Sequence, residues 1–92
     1  MPKPSDYIQR GWCQGVNAIG ADGIWCLPND PQAARWCLIG AMVAAYPESN
    51  AHREAMTTKL IHKLGHLQFA RWNDQISRTQ AEVVAMLESI GE

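Results

Sequence analysis

The longest stretch without a polar side chain runs from Trp36 to Tyr46, and wound as a helix it is apolar around its whole circumference. A helix of that kind is enclosed by others. Asp30 stands before it as an N-cap, Pro31 occupies the first helical position, where a missing N–H is no loss, and Pro47 stops it. Gly40, Ala41, Ala44 and Ala45 keep the helix thin, so neighbours can approach its backbone closely. The pattern predicts a helix from Asp30 to about Tyr46 that serves as the central post of the fold.

After Pro47 the apolar positions become periodic. Ser49 or Asn50 caps a helix that reaches about Leu64, with Gly65 as its C′ residue. Met56, Leu60 and Leu64 form its inward stripe with Ile61 at the edge. His52, Lys59, Lys63 and His66 fall on the opposite side, with His62 beside them. A short piece from His66 to Trp72 carries Phe69 and Trp72 inward. Thr79 and Glu82 stand in capping-box spacing and open the last helix, which turns Val83, Met86, Leu87 and Ile90 to one face and closes at Gly91.

The beginning of the chain is less regular. Ser5 caps a short helix from Asp6 to about Trp12, after which Gly11, Gly15, Gly20 and Gly23 break the pattern. Asp22-Gly23 is a tight-turn dipeptide and Ile24 to Leu27 a brief extended piece, enough for one tiny hairpin. No repeat, low-complexity tract or linker divides the chain. The expected architecture is a single all-α domain over residues 1–92. Four main helices are joined by an irregular Gly-rich segment between the first and second, with Trp12, Trp25, Phe69 and Trp72 in or near the core.

Composition changes the picture only in part. A hydrophobic fraction of 47% and four Trp in 92 residues supply a modest core and argue against disorder. The formal net charge of −1 gives no overall field to attract nucleic acid or an anionic membrane. The central apolar run is shorter than the ~20 residues needed to span a bilayer. Met1 to Asp6 lacks the apolar segment of a secretory signal. Cys13, Cys26 and Cys37 are an odd set without such a signal, which points to reduced thiols, a cytoplasmic setting and packing as their simplest role.

Candidate chemistry is sparse. Trp72, Asn73, Asp74 and Arg78 form a polar cluster ahead of the last helix, with Arg78 placed to pair with Asp74. Such a cluster either binds a ligand or hydrogen-bonds its own loop and helix ends. His62 and His66 stand at i and i+4, the spacing of two imidazoles on one helix face. Gly65 interrupts them, Lys63 stands where a zincin needs Glu, and there is no Cys-x-x-Cys pair, so the expectation is no metal and no cofactor. Cys13 lies outside the central helix, but no pattern sets a base beside it. With neither a phosphate-cradling loop nor paired carboxylates, the expectation is no catalytic residue and no enzyme.

The basic helix side remains. Residues 52 to 78 carry five Lys or Arg against Glu54 and Asp74, a local balance of +3, while the last helix bears Glu82, Glu88 and Glu92. His52, Lys59, His62, Lys63 and His66 are therefore candidate partner-binding residues, or simply a solvated face. Direct binding of nucleic acid calls for more cations and for aromatics exposed between them, which favours a protein partner.

Trp12-Cys13-Gln14-Gly15, Trp36-Cys37-Leu38-Ile39-Gly40-Ala41, Trp72-Asn73-Asp74 and Arg78-Thr79-Gln80-Ala81-Glu82-Val83 follow one another in a recognisable order. With them the chain resembles a small uncharacterised family of bacterial and bacteriophage proteins, a domain of unknown function. The resemblance implies a compact, mostly helical domain and carries no catalytic residue with it. The functional expectation is a non-enzymatic binding module. Its concrete form is a phage or prophage accessory protein that binds and inhibits a host protein or defence complex, in the manner of an anti-CRISPR inhibitor. Two alternatives stay open: a small enzyme or ligand binder using Trp72, Asn73, Asp74 and Arg78, and a metal-stabilised structural domain.

Overall fold

A computed structural model describes residues 2–92. They run in order through α1 (Pro4–Arg10), β1 (Ala18–Gly20), β2 (Ala33–Trp36), α2 (Leu38–Ala45), α3 (Asn50–Leu64), α4 (Phe69–Asn73) and α5 (Gln80–Ser89). The antiparallel pair β1–β2 overturns the all-α expectation: five helices and a two-stranded sheet make a mixed α/β domain.

The correction falls on the residues ahead of the central post. Asp30 and Pro31 open a turn instead of a helix. The Asp30 side chain accepts from the N–H of Gln32 at 2.8 Å, and its carbonyl accepts from that of Ala33 at 2.9 Å. Proline has the same φ at the second position of such a turn as at the first position of a helix, and an Asx cap suits both. The choice is made by a distant partner. Ala33 to Trp36 leaves the turn extended and pairs with β1, Ala18 opposite Trp36 and Ile19 opposite Arg35, with a register shift between Ile19 and Gly20. The helix then starts at Leu38, capped by the Cys37 sulfur, which accepts from the N–H of Gly40 at 3.3 Å.

Two further pieces widen this pair. Gly23 takes φ 81° and closes a tight turn after β1. Ala18 and Gly20 then bond to Cys26 (3.2 Å) and Ile24 (2.9 Å), setting Ile19 opposite Trp25. Asn17 and Ala21 point the other way, to Cys37 (3.1 Å) and Gln32 (3.3 Å). On the far side of β2, Trp36 exchanges bonds with Gly11 (3.0 Å) and Cys13 (3.2 Å). The lateral order is thus residues 24–26, β1, β2, residues 11–13, and the 24–26 piece forms an outer edge.

Helix α2 is the middle of the molecule; none of its residues is exposed. Its thinness is used: a Cβ on Gly40 would land on the carbonyl of Asn17. α1 lies against both α2 and α5, and the core gathers Ile8, Trp36, Leu38, Met56, Leu60, Phe69, Val83 and Leu87. α1 starts earlier than Ser5 predicts, because Pro4 takes the first helical position and the Asp6 carboxylate accepts from the N–H of Lys3 at 2.8 Å. It ends at Arg10 because the Gly11 carbonyl is taken by β2.

Local signals set the later helices. Ser49 caps α3 through the N–H of His52 at 3.3 Å, and Gly65 ends it at φ 80°. At α5 the hydroxyl of Thr79 accepts from the N–H of Glu82 (3.2 Å), whose carboxylate accepts from the N–H of Thr79 (3.0 Å). Of the aromatics expected inward, Phe69 is buried and Trp12 and Trp72 are half-buried, but Trp25 is 62% exposed. Among the described residues no helix is long and apolar enough to cross a membrane.

Candidate functional site

Asn73 closes α4 with its side chain fully enclosed. A primary amide has two acceptor positions and two donor hydrogens. All are used. Oδ1 accepts from the indole Nε1–H of Trp12 (2.8 Å) and the backbone N–H of Leu38 (3.0 Å). Nδ2 donates to the carbonyl of Cys13 (3.1 Å) and to Oδ1 of Asp74 (2.9 Å). Gln14 donates to the Asn73 carbonyl at 3.0 Å, and Gly15 donates to Asp74 Oδ1 at 3.0 Å. Three separated segments, around Trp12, Leu38 and Asn73, therefore meet at one amide. Its bonding capacity is filled by the chain itself.

Arg78 does not pair with Asp74. Its Nε donates to the Trp72 carbonyl at 2.9 Å, its guanidinium lies 3.9 Å from the Trp72 ring centroid, and it reaches Glu82 at 3.3 Å. The planar cation thus braces the loop between α4 and α5 by stacking and by donation.

Part of the basic side of α3 is taken up by internal contacts. Lys59 donates to Glu92 Oε2 at 2.8 Å, and the hydroxyl of Tyr46 donates to Oε1 at 2.6 Å. Burial and the neighbouring Glu92 carboxylate push the Tyr46 hydroxyl up to about 12. His52 stacks on Tyr46 with ring centroids 5.2 Å apart and shares a 2.6 Å hydrogen bond with Ser49. His66 accepts from the N–H of Gln68 at 3.1 Å. His62 and Lys63 line a shallow depression with Thr58 and Ile90. The left-handed turn at Gly65 separates His62 from His66, and among the described residues no three His, Cys, Asp or Glu are grouped to hold a metal ion.

The thiols are free. Burial first, then the nearby Cys37 and Asp74, pushes Cys13 up to about 12, and burial likewise raises Cys37. Both are held as thiols at neutral pH, the form that is the poorer nucleophile.

One feature of the surface has no internal explanation. Ile24, Trp25 and Leu27 are 65%, 62% and 60% exposed on and just beyond the outer 24–26 piece. Ile61, Leu67 and Ile76 are also exposed, but each stands apart in the sequence. The Asp22 and Asp30 side chains bracket the apolar run within the chain. A signal for this edge exists in the sequence. Ile24-Trp25-Cys26-Leu27 is apolar at four successive positions, whereas a strand that covers a core on one face needs only alternate ones. Cys26 is the half-buried member, and the side chains around it are left in water.

A family model, described as a family of unknown function (DUF6197), matches residues 5–91. The chain belongs to the DUF6197 family. The matched span includes all three segments that converge on Asn73 and the open edge at Trp25. No curated protein and no solved structure matches the chain.

Proposed function

We propose that this member of DUF6197 is a non-enzymatic binding module that works by covering a surface on another protein, with Ile24, Trp25 and Leu27 as its contact residues. The observation that carries the reading is the exposure of three large apolar side chains on one outer edge of a small domain. Large apolar side chains left in water at a sheet edge mark interaction sites, and tryptophan contributes disproportionately at their centres. Supporting it, the polar centre that most resembled a ligand site has its amide filled by Trp12, Leu38, Cys13 and Asp74. The resemblance to bacterial and bacteriophage proteins supports a more specific version: an accessory protein of phage or prophage origin that binds and inhibits a host protein or defence complex. Three free thiols support action in the reducing cytoplasm.

Photo-crosslinking residues placed at position 24 and, separately, at position 63 test the reading in cells producing the whole chain. A discrete protein adduct from position 24, lost when Trp25 is also changed to Ala, is the expected result. An adduct from position 63 alone would move the contact to α3. Retention of partner binding by an Ile24→Ser, Trp25→Ala double variant would end the reading.

A further inference from the structure

The backbone along the exposed edge indicates the kind of partner. Ile24 and Cys26 point their bonding groups inward to Gly20 and Ala18. Because bonding direction alternates along a strand, the N–H and C=O of Trp25 point outward, and neither is bonded among the described residues. The same edge displays the side chains of Ile24, Trp25 and Leu27. Asp22 bonds the N–H of Ile24 with Oδ1 (3.0 Å) and Asp30 that of Gln32 with Oδ1 (2.8 Å), and Oδ2 of each has no hydrogen bond among the described residues.

Building on the binding-module reading, we infer that the partner adds a short extended strand to residues 24–27, setting an apolar side chain against Trp25 and Leu27 and Lys or Arg towards Asp22 and Asp30. Strand addition supplies both bonds that the Trp25 backbone lacks. A docked helix satisfies its own backbone and would bury that N–H and C=O unbonded, at about 1–3 kcal/mol each. A second copy of the chain is disfavoured by charge. Self-pairing centred on Trp25 would bring the Asp22 end of one copy towards the Leu27–Asp30 turn of the other, so like charges would approach each other. The pairing is short, and Gly23 with its left-handed turn limits it on one side.

Random linear peptides displayed on phage, selected on the immobilised whole chain and depleted on its Trp25→Ala variant, provide the test. Enriched peptides should alternate apolar residues at period two between Lys or Arg. A synthetic peptide of that sequence should bind about tenfold more weakly to Trp25→Ala and to an Asp22→Asn, Asp30→Asn variant. The same peptide, N-methylated at alternate amides, should lose about as much affinity in one of its two methylation registers and little in the other. Apolar residues at helical spacing, absence of enrichment, or indifference to N-methylation in both registers would overturn strand addition. Self-association abolished by Trp25→Ala would overturn it in favour of a dimer. If position 24 still cross-links a protein in cells while the peptides fail, the binding module stands and only the strand is lost.

Discussion

The Asn73 side chain is fully enclosed and bonded to four other residues, whereas Trp25 is 62% exposed and turns an unbonded amide and carbonyl outward. By residue type alone the first resembles a functional group and the second a core residue. The structure assigns them the reverse surroundings. A buried polar group is tolerated only when its bonds are made, so Asn73 reports how three segments are joined. An exposed indole beside an open sheet edge has unused capacity of both kinds, apolar and hydrogen-bonding. What a residue can still offer is a better guide to function here than how polar it is.

This contrast can be broken most severely at Asn73. Asn73→Ala strands the Trp12 indole N–H and the Leu38 N–H in the interior and should cost about 4 kcal/mol. At roughly 4–8 °C per kcal/mol for a domain of this size, the melting temperature should fall by roughly 15–30 °C. A loss below about 1 kcal/mol with binding abolished would make Asn73 a contact residue and erase the distinction. Gly40→Ala comes next, since the new methyl group meets the backbone carbonyl of Asn17. Overpacking of this order costs about 2–3 kcal/mol, to be read from urea unfolding.

Alkaline pH probes the enclosed side of the comparison without mutation. Cys13 is raised from 9.0 to about 12 and Tyr46 from 10.0 to about 12 in the folded chain. The unfolded chain therefore loses these protons first. The stability they contribute is complete below about pH 9 for Cys13 and pH 10 for Tyr46, and it drains away as pH rises towards 12. The urea midpoint should decline over that window, and less steeply in Cys13→Ala and Tyr46→Phe. Thr79→Ala, which removes the cap of α5, should cost about 1 kcal/mol in the same assay. The smallest effect on stability belongs to Trp25→Ala, at under about 0.5 kcal/mol, together with loss of partner binding. If that variant instead unfolds the protein, Trp25 belongs with the core and the edge is not a docking surface.

How much of this was legible depended on the range of the interactions. The ends of α3 and α5 follow from Ser49, Gly65, Thr79 and Glu82, whose bonds span three or four residues. Asp30-Pro31 was ambiguous because its turn and a helix start use the same φ and the same side-chain cap. Trp25 departs from the core position its hydrophobicity predicts because the piece carrying it is the outer one of four.

By itself the sequence determined the lengths of the later helices, the apolar enclosure of Leu38 to Ala45 and the need for Gly40 where a helix must be thin. Helical periodicity and caps are written within a single turn of chain, so no distant partner is needed to read them. The tertiary structure alone decided that Ala33 to Trp36 is a strand, that Asn73 joins residues 60 and 61 positions away, and that Trp25 stays in water. Each of those outcomes depends on which remote segment arrives to make or withhold a bond, and the local pattern is compatible with either.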